Sequence, residues 1–252
     1  MSTKSYYAGG LGSAGPQLNF TDDLLSPARG TSLWQSCPLL AIMMDPSVGN
    51  CFLDHFHALT KSSEDWILTQ ATAGTAVAGA LAGGVATLNA GAVTDGQGPQ
   101  IQNAGTEFIP AAGKNLWFET KVKVSHISGD FFFGLAELDT TLVASSALTI
   151  SNGIGFESFT GDGVLVASSE KATVRGTVAA VHTLVAATYV KLGFIIRGVD
   201  SVEFWINGVP HATMLLTANI PVLALTPSFT VHATGTDQAV LDIDYVQCVQ
   251  LI

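Results

Sequence analysis

Charge is what this sequence has least of. Asp, Glu, Lys and Arg make up 12% of its 252 residues, about half the share in an average soluble domain. Basic residues are the scarcer half: ten Lys and Arg against twenty Asp and Glu leave a formal net charge of −10. The ten are scattered, so the chain offers no basic stripe along a phosphate backbone or an anionic bilayer. Nucleic acid and membrane are therefore not expected as partners. Three cysteines, Cys37, Cys51 and Cys248, are an odd count without framework spacing, and the fold is expected to stand without disulfides. Met1 to Tyr7 show no apolar signal-peptide core, so secretion is not expected. Residues 71–93 are almost uncharged, but they consist of Ala, Gly, Thr and Val and are interrupted by Asn89. Strands joined at Ala82-Gly83-Gly84 explain them better than a spanning helix.

Hydrophobic residues are abundant at 48%. A chain so poor in charge must hide more surface than one fold can, and burial against further subunits is the simplest way. A homo-oligomer, such as a closed trimer, is the expectation.

Two regions differ in texture. In residues 1–50, Gly9, Gly10, Gly12, Gly15, Pro16, Pro27, Gly30, Pro38 and Pro46 interrupt every apolar run before it acquires a period. Yet Phe20, Leu24, Trp34, Leu39, Leu40, Met43 and Met44 all call for burial. The reading is an extended N-terminal arm whose apolar residues form an assembly interface; the run Leu39–Met44 has room for one helical turn. From Cys51 onward strand follows strand. Val122 and Val124 alternate with Lys121 and Lys123. Residues 131–136 read as a buried strand with a close-packing Gly134. Asn207-Gly208 between 201–206 and the residues that follow is a two-residue hairpin signal, because a type I′ turn needs φ > 0 at both central positions. No segment has a helical period of helix length, so residues 51–252 are expected to form one all-β, antiparallel sandwich.

The order of these strands resembles the concanavalin-like, laminin-G-like jelly-roll sandwiches. The likeness is carried by Cys51-Phe52-Leu53-Asp54 with Asp65-Trp66, by residues 116–122, by Phe132-Phe133-Gly134-Leu135, by Val202 to Gly208, by Leu225-Thr226-Pro227 and by residues 241–246. It spans residues 51–252 and leaves the arm uncovered. Versions of this fold are similar to modules of tailed-phage virion proteins that decorate heads or tails.

Enzymes of this fold that cleave β-glucans carry Glu-x-Asp-x-x-Glu. The nearest match is Glu137-Leu138-Asp139-Thr140-Thr141-Leu142, where Leu142 replaces the second catalytic carboxylate. One carboxyl cannot act as both nucleophile and acid, so Glu137 and Asp139 are expected to be solvated strand-end acids. Asp54, His55 and His57 are the best local metal constellation, but zinc wants at least three protein ligands and no second cluster accompanies them. Asp242 and Asp244 could share calcium in principle; an outward strand face is the favoured reading. Gly10 to Gly15 match a dinucleotide glycine pattern without the strand and helix that give it meaning. No cofactor and no metal is expected. Trp205 has two readings: an outer-face position, in contact with a glycan or another subunit, or a core position in a two-sided sheet.

Together these point to a non-enzymatic virion structural protein. The expected form is a bacteriophage capsid decoration or cement protein assembled in the host cytoplasm, anchored by residues 1–50 to other virion subunits such as the major capsid protein. A tail or head-fibre component is the nearby variant. A carbohydrate-binding, lectin-like module is the alternative, and a glycoside hydrolase is the least favoured.

Overall fold

The computed structural model describes residues 32–252 without 60–64, 72–73, 79–82, 92–93, 106–107, 160, 216 and 236–237. Phe20, Leu24, the glycine pattern at 10–15 and the rest of residues 1–31 lie outside the described residues. A 3-10 turn (Leu33–Ser36) and a short helix α1 (Leu39–Met44) precede the strands. These are β1 (Gly49–Asp54), β2 (Trp66–Ala71), β3 (Thr75–Ala78), β4 (Ala86–Asn89), β5 (Gly98–Asn103) and β6 (Leu116–Val124). Next come β7 (Asp130–Ala136), β8 (Val143–Ala144), β9 (Ala147–Leu148), β10 (Asn152–Ser158), β11 (Val164–Lys171) and β12 (Val174–Thr183). The last are β13 (Val190–Arg197), β14 (Ser201–Ile206), β15 (Val209–Met214), β16 (Thr226–His232) and β17 (Val240–Leu251).

Apart from β8 and β9, which pair only with each other, they form two antiparallel sheets. The first runs β15-β14-β13-β6-β17-β4-β3, with β1 also paired to β17. The second runs β12-β11-β10-β7-β16-β5-β2. Side chains alternate across a strand, so each sheet turns one set inward. Phe118, Phe194 and Phe204 from the first sheet meet Phe131, Phe133, Phe156 and Phe229 from the second, all fully buried. Phe118 stacks on Phe194 at 4.7 Å between ring centroids, and Phe156 meets Phe204 edge-on at 5.5 Å. Such contacts are worth about 1 kcal/mol each beyond the area they bury. The expected all-β jelly-roll sandwich is thus the fold. Asn207 and Gly208 both take φ > 0, at 51° and 77°, and close β14 onto β15 as the turn chemistry requires.

The outer face of the first sheet is not left to solvent. Leu33, Cys37 and Ile42 bury against Trp117, Ile195, Trp205 and Val249, with Trp34 and Leu39 half-buried beside them. Residues 32–48, the last part of the expected arm, therefore fold onto the sandwich of their own chain. The residues expected at an assembly interface separate accordingly: Trp34 and Leu39 pack inward, while Leu40, Met43 and Met44 stay 47%, 68% and 79% exposed. Trp205 takes the buried one of its two readings, at 6% exposure. It has no free ring face for a sugar.

Candidate functional site

The acids singled out by sequence are engaged in holding loops. Strand β7 ends at Ala136, so Glu137 and Asp139 lie past it and share no strand face. Glu137 accepts hydrogen bonds from the backbone N–H of Ser151 (2.5 Å) and Asn152 (3.1 Å) and from Asn152 Nδ2 (2.9 Å). Asp139 accepts from the Thr141 N–H at 2.8 Å, an Asx turn. Leu142 is buried with Val143 and Ile150 on Phe132. Asp54 accepts from the Phe56 N–H (2.6 Å) and Trp66 Nε1 (2.8 Å). His55 and His57 stand 6.2 Å apart and exposed, and no group of three metal-ligating side chains forms among the described residues. Asp242 pairs with Lys123 at 2.8 Å and Asp244 with Lys121 at 2.5 Å. Both lysines also lie over the Tyr189 ring, making an outward charged ladder. Burial pushes the Cys37 thiol up to about 12, which leaves it un-ionised and unreactive at neutral pH.

The second sheet carries the more unusual surface. Strand alternation sends Gln100 and Gln102 of β5, Thr226, Ser228, Thr230 and His232 of β16, and Asp130 and Phe132 of β7 to its outer face. All of them are buried, because residues 137–151 fold back across them. Two glutamine side chains pin that cover. Gln100 Nε2 donates to the Asp139 carbonyl (2.7 Å) and its Oε1 accepts from the Leu142 N–H (2.8 Å). Gln102 Nε2 donates to the Glu137 carbonyl (2.9 Å) and its Oε1 accepts from the Asp139 N–H (3.0 Å). At about 1 kcal/mol per bond these anchor the segment firmly. Its tip is the β8–β9 hairpin, whose two-residue turn, Ser145 and Ser146, holds φ of 49° and 54°. Without glycine this conformation costs on the order of 1 kcal/mol per residue.

Beside the hairpin a pocket of about 320 Å³ remains open, lined by Thr69, Gly98, Gln100, Thr141, Ser145 and His232 among others. That lies at the small end of ligand sites, which run roughly 300–1,000 Å³. His232 is 4% exposed and faces Asp130 across the β16–β7 ladder. Ser146 Oγ donates to Asp130 Oδ2 at 2.8 Å, while Asp130 Oδ1 and His232 Nδ1 are buried with no hydrogen-bond partner. Burial pushes the Asp130 carboxyl up to about 6, and the nearby charge of Asp95 adds to this. Burial moves His232 the other way, below the usual imidazole value, with Asp95 opposing. Of the other buried acids of this face, Glu157 pairs with Arg175 and accepts from Ser168 Oγ, while burial and the charge of Glu137 push the Glu170 carboxyl up. Hydroxyls, an amide and an imidazole thus line one small concavity, with the buried Asp130 carboxyl behind its wall, a set suited to a polyhydroxyl ligand.

No protein-family model and no curated protein matches the sequence. Solved structures match along most of the chain. A protein of unknown function from Shewanella oneidensis MR-1 is 12% identical, with a TM-score of 0.56 over 82% of this chain and 88% of that one. A beta-1,3-glucanase from Mycobacterium marinum is 14% identical, with a TM-score of 0.53 over 78% and 97%. Peanut lectin is 13% identical, with a TM-score of 0.54 over 81% and 98%. Identities this low show a shared fold, the concanavalin-like jelly roll of lectins and glycoside hydrolases. These neighbours correct two expectations. The reading as a bacteriophage decoration or cement protein gives way, because the fold's named neighbours are a glucanase and a lectin. The expectation of no enzymatic activity gives way too, because several solved structures that share the fold are named as glycoside hydrolases.

Proposed function

We propose that this chain binds carbohydrate in the pocket beside the β8–β9 hairpin. The observation that carries the proposal is His232, which lines the pocket and presents a buried Nδ1 with no partner inside the protein. Buried polar atoms nearly always have partners, and a sugar hydroxyl would supply one. Lectins and glycoside hydrolases of the same fold lend support. Calorimetric titration with β-1,3-glucan, cello-, chito- and galacto-oligosaccharides tests it. Binding by the wild-type protein should weaken at least tenfold in His232→Leu and persist in Glu203→Gln, on the other sheet. Equal binding by His232→Leu would place the site elsewhere.

Hydrolysis at the same pocket is the second reading, favoured by Asp130. Asp130 stands next to the pocket wall, bonded to Ser146 and in register with His232, and a carboxyl held up to about 6 can stay protonated as the acid. Release of reducing ends from β-1,3-glucan should then be lost in Asp130→Asn and should fall as pH rises above about 6, where the acid form disappears. Turnover unchanged in Asp130→Asn would exclude this reading. A homo-oligomer, proposed on the low charge fraction, is checked by native mass from light scattering; a stable monomer at high micromolar concentration would refute it.

A further inference from the structure

Among the described residues, two carboxylates near this pocket have no cationic partner. Ion pairs among the described residues engage Lys121, Lys123, Arg175 and Arg197 with Asp244, Asp242, Glu157 and Glu203; Asp130 and Asp95 are in none of these. No Lys or Arg lines the pocket among the described residues. Asp130 is wholly buried with Oδ1 unsatisfied, and Asp95 directly precedes Gly96, which lines the pocket with His232. His232, held neutral by burial, can accept at Nδ1 once Nε2 carries its proton. An isolated buried carboxylate costs several kcal/mol unless something neutralises it, and among the described residues Asp130 receives only the neutral Ser146 hydroxyl. The pocket wall at His232 therefore combines an acceptor with negative potential from β7 and from the segment before β5. Anionic sugars would be repelled from it, and a neutral hydroxyl would leave the charge uncompensated.

We propose that the pocket selects the free amino group of an amino sugar, seating the ammonium at His232 with Asp130 and Asp95 balancing its charge. The proposal rests on the carbohydrate-binding reading and names the sugar class. An ammonium has three N–H donors, enough for His232 Nδ1 and neighbouring oxygens such as Gln100 or Thr141. N-acetylation removes the charge and adds bulk, so a deacetylated hexosamine is the ligand class.

The test uses β-1,4-linked tetrasaccharides of glucosamine, N-acetylglucosamine and glucose, titrated into the full chain at pH 7 and 150 mM salt. The glucosamine tetramer should bind at least tenfold tighter than the other two, and Asp130→Asn should erase that preference. Asp95→Asn, on an exposed residue, should reduce it without affecting folding. If the glucose or N-acetylglucosamine tetramer binds as tightly as the amine, the inference fails while carbohydrate binding stands. If none of these tetramers nor the oligosaccharides named above bind, the carbohydrate reading itself fails. If Asp130→Asn keeps its fold by thermal melting and still prefers the amine, the attraction is to the acidic surface at large, and the inference is overturned.

Discussion

Asp130 concentrates the tension in this structure. A carboxyl raised when folded destabilises the folded state wherever it must ionise there, which is at pH above its unfolded value near 4. Asp130→Asn should therefore stabilise the protein at pH 7 by about 2 kcal/mol, an advantage that shrinks as pH falls through about 6 and vanishes near pH 4. His232 has the opposite linkage: its depressed folded value favours folding above the unfolded value and loses that contribution in acid. Comparing the two proteins by urea midpoint at each pH isolates Asp130, since His232 is common to both. A constant difference between pH 4 and 7 would show that Asp130 is not raised. Neither residue announces itself in the sequence, where each sits at the end of a run read as strand. They become neighbours only because β7 lies beside β16, a pairing between strands about a hundred residues apart. A clue existed in the alternation of Thr226, Ser228, Thr230 and His232, a polar face on a strand otherwise fully buried.

At the level of elements, local chemistry was the best guide. Asn207-Gly208 predicts its own hairpin, and Gly208→Val should cost more than about 1 kcal/mol because a β-branched residue resists the φ of 77°. Added side-chain bulk meets nothing there, so the loss measured in denaturant reports backbone strain alone. The Ser145–Ser146 turn is the converse case. It adopts the same type of turn without turn-forming residues and was not read from sequence as a turn. Replacing the pair by Asn-Gly should raise stability by about 1 kcal/mol, checked by thermal melting; a lowered melting temperature would argue against the hairpin as described. Glu137 and Asp139 were misplaced for a related reason. Alternation continues past Ala136 on paper, but the strand stops where the Glu137 carboxylate gathers the amides of Ser151 and Asn152. A carboxylate occupied by backbone N–H groups is a brace, and side-chain spacing alone does not reveal that.

For the whole molecule, the sandwich was legible because its inner faces are written in period-two runs such as Val122 and Val124 against Lys121 and Lys123. The layer outside the first sheet was not. Trp117, Ile195, Trp205 and Val249 make that sheet apolar on both sides, and sequence does not say whether the cover comes from the same chain. The structure supplies it from residues 33–48. Ile42→Ala should accordingly cost about 2–4 kcal/mol, and removing residues 1–48 should lower thermal stability and promote aggregation, where a free arm would be dispensable. Unchanged melting after that truncation would show that the layer contributes nothing. The claim that a glycan occupies the covered face of the second sheet is tested most directly by where it binds. Backbone and side-chain amide shifts recorded during titration with the oligosaccharide that binds tightest should move at Gln100, Thr141, Ser145 and His232 and leave the Lys121–Asp244 ladder still. Shifts confined to that ladder or to the exposed residues of α1, with none at the pocket, would contradict the account.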